Sequence, residues 1–190
     1  MPQPSHISKL PVPTKEDLPE DIQIIWDKCV EKLGFVPNVL QSYAFKPQRL
    51  RNFMALYNEL MLGESGLSKL EREMIAVVVS SVNHCYYCLV AHGAAVRSLS
   101  GDPHLGELLK VNYRTANLDE RQRAMLDYAW KLTDTPWLIE DADRDALRAV
   151  GFNDHDLFDI SETIAFFNLS NRMAYGLDMM PNADYHSQAR

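Results

Sequence analysis

Leu67 to His92 reads LSKLEREMIAVVVSSVNHCYYCLVAH, and the fold turns on whether its apolar middle, Met74 to Val79, is a strand or a helix. Periodicity alone cannot separate the two in a short β-branched run. The residues before it can. Ser68 followed by Glu71 reads as a capping box, so the helix it opens continues in register to about residue 82. From Met74 to Val79 that helix is apolar on every side, which implies a central, enclosed element. A second helix is expected from about 84 to 99, with Asn83 as its N-cap and Ser100, Gly101, Asp102 and Pro103 breaking it.

Outward from this pair the pattern stays helical. Thr14 with Asp17 suggests the start of a helix from about 15 to 33 that Gly34 stops, followed by a short one near 38 to 45. Leu50, Phe53, Met54, Tyr57, Leu60 and Met61 mark another amphipathic helix, and weaker ones follow at about 103 to 111, 119 to 133, 141 to 150 and 154 to 177. Leu157, Ile160, Ile164 and Phe167 form the apolar stripe of the last. The segment from 118 to 123 faintly echoes that from 67 to 73. No hairpin or alternating strand appears, so the expected fold is all-α. Residues 14–190 form one domain and 1–13, which hold four of the ten prolines, an extended arm.

The 190 residues are 46% hydrophobic, enough for a full core. The formal charge of -7 argues against nucleic acid or anionic membrane as partner, since both select for Lys and Arg clusters. No apolar h-region opens the chain and no run of about 18 uncharged apolar residues occurs, so a cytoplasmic protein is expected. Three cysteines in a reducing compartment are no disulfide framework. Cys29 falls on the stripe Ile22, Ile25, Trp26, Cys29, Val30, Leu33 and is expected to be a packed core thiol.

Cys85, Cys88 and His92 fall at i, i+3 and i+7 and share one helix face. In the first turn of a helix, unpaired N–H groups and the dipole favour a thiolate, which by itself singles out Cys85 as the more acidic thiol. One turn also brings the two thiols close enough to bridge. His92 lies over Cys88, where it can take or return a proton. Glu73 shares its face with Leu70, Ala76, Val77 and Ser80, and Glu71 points the other way. A carboxylate in such company is costly unless paired, either for proton transfer or in an ion pair with Arg72, Arg97 or Arg172. A dithiol with an acid and an imidazole at hand is the minimum for reducing a peroxide or exchanging thiols. Tyr86 and Tyr87 are candidate hydrogen-bond donors to a peroxide oxygen. His84, Cys85, Cys88 and His92 carry zinc-type donors, but zinc sites usually pair two ligand clusters and the chain has no second one, so no metal is expected. His6, His104, His155 and His186 show no partner pattern.

Glu73, Cys85, Tyr87, Cys88 and His92 reproduce the pattern Glu-x(11)-Cys-x-x-Cys-x-x-x-His, and the chain resembles the alkylhydroperoxidase D-like branch of the carboxymuconolactone decarboxylase family, in particular its peroxidase-related members. The motif core covers about 68 to 97, and Asn168 to Arg172 is compatible with the family. The resemblance implies a helical bundle, a homo-oligomer built as a trimer or hexamer, and thiol-dependent reduction of hydroperoxides without a cofactor. It makes Cys88 the peroxidatic thiol, Cys85 the resolving thiol, Glu73 and His92 the proton relay, and an external thiol, such as a lipoyl-bearing protein, the reductant. Tyr87 stands where the best-studied pattern has a second histidine. The competing readings are a lactone decarboxylase of the same fold, a thioredoxin-like thiol-disulfide oxidoreductase with 74 to 81 as a strand, and a non-catalytic scaffold or zinc-binding module.

Overall fold

The computed structural model describes residues 3–190, so the first two residues of the expected arm lie outside it. Among the described residues there are nine α-helices and no strand: α1 (Glu20–Leu33), α2 (Asn38–Tyr43), α3 (Pro47–Leu62), α4 (Lys69–Val82), α5 (Tyr86–Ser100), α6 (Leu105–Asn112), α7 (Glu120–Asp134), α8 (Asp141–Ala149) and α9 (Asp154–Gly176). That removes the thioredoxin-like reading. No helix among them is long and apolar enough to cross a membrane.

α4 is the axis of the bundle. Its capping box forms as expected, Ser68 Oγ accepting from the Glu71 amide and Glu71 returning to the Ser68 amide. Every residue from Glu71 to Ser80 is buried, because α3, α5, α6, α7 and α9 all pack on it. Burying this stretch is costly for its charged residues, Glu71, Arg72 and Glu73, and each of the three has a partner. Glu71 accepts from Arg121 Nε at 3.0 Å. Arg72 donates at 2.9 to 3.2 Å to the Leu60 and Gly63 carbonyls at the open end of α3 and to the Leu67 carbonyl in the loop ahead of α4. α7 starts with its own capping box, Asp119 with Gln122, where the sequence echoes 67 to 73. α5 and α6 pack closely because Gly106 lies on Gly93, where a Cβ would come within 2.8 Å of the Gly93 carbonyl oxygen.

The turn between α4 and α5 departs from expectation. Asn83 is the C-cap of α4 and not the N-cap of α5. His84 N–H donates to Ser81 O and Cys85 N–H to Ser80 O, the two bonds of a Schellman motif. His84 takes the left-handed position at φ 57, where a glycine would be unstrained. Its carbonyl accepts from the Tyr175 hydroxyl at 2.7 Å. The reversal is so tight that Cys85 itself becomes the N-cap of α5.

Two further corrections concern the N-terminal part. α1 begins at Glu20, not near 15, because Pro19 keeps Leu18 extended at ψ 152 and leaves only a 3-10 turn over Lys15–Asp17. The described part of the arm is tied to its own chain: Lys9 N–H donates to Leu177 O, Met180 N–H to Ile7 O, and His6 pairs with Asp178. The described part of the extended arm therefore has a partner in its own chain, the segment after α9.

The role of Arg72 is testable by thermal and urea unfolding of Arg72→Met. The change leaves three buried carbonyls without their charged donor, so a loss of about 3 kcal/mol and roughly 6–12 °C in Tm is expected. A variant as stable as the parent contradicts the capping role.

Candidate active site

One cavity of about 650 Å³ opens between α1, α2 and α3 on one side and α4, α5 and α9 on the other. Glu73 reaches it from α4, Cys88 and His92 from α5, and Phe167 and Ser170 from α9. Tyr57 of α3 and Tyr185 of the C-terminal tail also line it. The tail is held there by Arg97, buried in α5, which donates to the Tyr185 and Gln188 carbonyls at 3.0 to 3.1 Å.

Glu73 Oε2 and His92 Nδ1 are 2.7 Å apart. A carboxylate only accepts, so Nδ1–H donates and Nε2 is left as the free basic position of the ring. The edge of Phe167 packs on the imidazole with centroids 4.7 Å apart and holds its plane. The alternative of an arginine partner for Glu73 fails on geometry. Arg72 is spent on carbonyls, Arg97 on the tail and Arg172 on Asn168.

The cysteine pair lies 3.7 Å apart as free thiols, within hydrogen-bond reach of one another. Both are 2% exposed, but only Cys88 lines the cavity. Their acidities are pushed apart. The Cys85 thiol is lowered to about 7, mainly by the Cys88 S–H donated to it, then by the Cys88 and Tyr87 backbone amides and by His92, against the cost of burial. Cys88 is pushed well above the usual range, first by the same S–H···S bond, then by burial and the Cys85 charge, while Asn171 and Ser170 oppose. The first ionisation of the pair is therefore drawn towards Cys85, while Cys88 is the sulfur that faces the cavity. The sequence expectation rests on the helix terminus, whereas the largest cause here is the Cys88 S–H bond, with the backbone amides behind it.

Tyr87 lines the cavity as a candidate contact, but its hydroxyl already accepts from the Val39 amide at 2.9 Å and so anchors α2. Tyr86 points away, 45% exposed, to Gln3 and His186. Cys29 is corrected outright. It is half-buried in the cavity wall, because the C-terminal half of α1, with Val30 and Leu33 about half exposed, borders the cavity instead of the core. Burial raises its thiol, Lys32 opposing.

Sequence reasoning missed Asn171 as a site residue. Fully buried, its side chain accepts from Asn83 Nδ2 at 2.9 Å and donates to Ser80 Oγ at 3.0 Å, tying the end of α4 to α9 behind the cysteines. The signal was present as two polar residues, Ser170 and Asn171, three and four places after Phe167 on a buried stripe. Tyr57 and Tyr185 carried no such signal. Among the described residues no group of three or more His, Cys, Asp or Glu side chains is arranged to hold a metal ion.

Residues 47–104, α3 through α5 with the cysteine motif, match the Carboxymuconolactone decarboxylase family. An uncharacterized peroxidase-related protein from Silicibacter sp. TM1040 is 59% identical over 100% of both chains, with a TM-score of 0.95. An uncharacterized peroxidase-related protein from Ralstonia eutropha JMP134, with an alkylhydroperoxidase AhpD core, is 44% identical over 98% of each chain, also at 0.95. The debrominase Bmp8, at 19% identity over 98% and 97% of the two chains and a TM-score of 0.78, is alike in fold. No curated protein matches the chain.

The split acidities have a direct test in the thiolate absorbance of the reduced protein. One thiolate should appear with a midpoint near pH 7, and Cys88→Ala, which removes the donated S–H, should move it up toward the ordinary cysteine value. Because the folded value of Cys85 lies below its usual 9.0, its contribution to stability is full above about pH 9 and lost as pH falls through 7. A midpoint that Cys88→Ala leaves in place contradicts the S–H···S arrangement.

Proposed function

The chain belongs to the carboxymuconolactone decarboxylase family, in its alkylhydroperoxidase D-like, peroxidase-related branch, and on that premise we propose that it is a thiol-dependent peroxidase reducing hydroperoxides through a Cys85–Cys88 dithiol/disulfide cycle. The observation that carries this reading is the convergence of Cys88, His92 and Glu73 on one cavity, with Cys85 in disulfide reach behind Cys88. A lactone decarboxylase has no use for that buried dithiol.

The resting pair holds one proton, on Cys88, and one charge, on Cys85. As Cys88 gives up its proton its sulfur attacks the terminal oxygen of the bound hydroperoxide. An S–O bond forms, the O–O bond breaks and the alkoxide leaves. His92, fixed by Glu73 and basic at Nε2, carries the Cys88 proton to the alkoxide, which departs as the alcohol. The Cys85 thiolate then displaces hydroxide from the Cys88 sulfenic acid, forming the disulfide, and the hydroxide takes a proton from solvent through the same imidazole. The dithiol has supplied two electrons. Because only the pair shares the first ionisation near neutral pH, it stays nucleophilic without a permanently charged cavity.

An external dithiol, such as a lipoyl-bearing protein, would reduce the disulfide, and a cytoplasmic homo-oligomer, trimer or hexamer, is the setting we assign to it. That part rests on family likeness.

The test is oxidation of the reduced protein by one equivalent of an alkyl hydroperoxide, followed by peptide mapping. A Cys85–Cys88 disulfide with Cys29 still reduced is expected, and none with Cys88→Ser. Glu73→Gln and His92→Ala should each slow the step by about 10²-fold with the fold retained, the scale of lost acid–base assistance. If Glu73→Gln reacts as fast as the parent but melts earlier, the carboxylate is a structural partner of His92 and the relay is wrong.

A further inference from the structure

The cavity is larger than the peroxide chemistry needs. At about 650 Å³ it falls within the roughly 300–1,000 Å³ of pockets that enclose whole organic ligands. Its wall is mostly apolar, with Ile25, Leu33, Leu40, Phe53, Met54 and Leu62, interrupted by neutral polar groups such as Asn58, Tyr185 and Gln188. The reacting end is defined by Glu73, His92 and Cys88. The other charged residues in the wall are Lys28 and Lys32 of α1, one helical turn apart and exposed at the rim. Neither is in an ion pair among the described residues. Asp27, beside Lys28 on the same helix, is taken by Lys15. Glu31 is also on α1 but does not line the cavity. Two uncommitted ammonium groups thus guard an apolar passage in a protein whose net charge is -7. Averaged over the molecule, that charge disfavours anions. The rim is where an anion is welcome.

We propose that this cavity selects amphipathic anions, fatty-acid-like monocarboxylates bearing a hydroperoxide, with the carboxylate at Lys28 and Lys32, the hydrocarbon along the apolar wall and the –OOH at Cys88. Lys28 and Lys32 are then specificity residues for the carboxylate, and act on binding and not on the O–O cleavage. The chemistry is that given above: the acid hydroperoxide leaves as the hydroxy acid and the dithiol as the disulfide. The substrate identity rests on the peroxidase reading, but the anion site does not.

Binding is therefore measured separately from turnover. Dodecanoate and the uncharged dodecanamide are titrated by calorimetry into the reduced full-length protein and into the double variant Lys28→Gln/Lys32→Gln, with thermal melts confirming that the variant is folded. The carboxylate should bind the parent about tenfold more tightly than the amide, the gain expected of two partly exposed ion pairs. The double variant should abolish that preference, and so should about 0.5 M salt in the parent. In parallel, single-turnover oxidation of Cys85 and Cys88 by a medium-chain carboxylate hydroperoxide and by its neutral amide should show the same ratio, collapsing in the variant. Equal binding of the two probes to the parent, or a preference that survives the double substitution, overturns the proposal. Lysine-dependent dodecanoate binding with no oxidation by either hydroperoxide upholds the anion site and instead overturns the peroxidase reading.

Discussion

The burial of α4 from Glu71 to Ser80 is the constraint from which the rest of the molecule follows. A helix enclosed on all sides cannot leave a polar side chain to water, and α4 carries three charged residues in sequence, Glu71, Arg72 and Glu73. Each obliges a neighbour to answer. Arg121 answers from α7, the open end of α3 from below, and His92 from α5. At the other end Ser80 is met by Asn171 and Ser81 by the Lys110 carbonyl. The Glu73–His92 pair is one of these compensations. The hydrogen bond that makes Glu73 tolerable inside the bundle is the same one that fixes the tautomer of His92, so one contact meets both the burial of the carboxylate and the orientation of the imidazole.

The turn after α4 sets the second half of the site. A Schellman closure with a histidine in the left-handed position is less comfortable than one with glycine. It leaves no spare residue between the helices, so Cys85 occupies the N-cap, where α5's unpaired amides face its sulfur. Cys88, one turn further, lies inside the helix and over the cavity. The asymmetry of the two thiols is thus a consequence of where the helix starts, three residues apart on a shared face. It sets the more acidic sulfur behind the one that meets the cavity.

Much of this was written locally. Ser68 with Glu71 and Asp119 with Gln122 start helices wherever they occur, a fully apolar run flanked by such a cap is a buried helix, and the spacing of Glu73, Cys85, Cys88 and His92 places them together once both helices exist. Periodicity, however, reports only that a face is apolar. It could not tell that the stripe of α1 leaves the core at Cys29 to wall a cavity, since apolar core and apolar pocket have the same composition. Nor could it tell whether Asn83 ends one helix or begins the next, because the deciding bonds, to Asn168 and Asn171, come from residues 85 and 88 positions away.

Sequence by itself therefore determined the all-α class, the order and approximate limits of the helices, and the spacing of Glu73, Cys85, Cys88 and His92 on two adjoining helices, because helix propensity, capping and i, i+3, i+4 neighbours are local interactions. Tertiary structure alone decided which sulfur is the more acidic, which one meets the cavity, that Glu73 pairs with a histidine and not an arginine, and that the tail with Tyr185 and the arm with His6 fold back onto their own chain. Those outcomes depend on burial and on contacts between distant residues, and no local pattern encodes either.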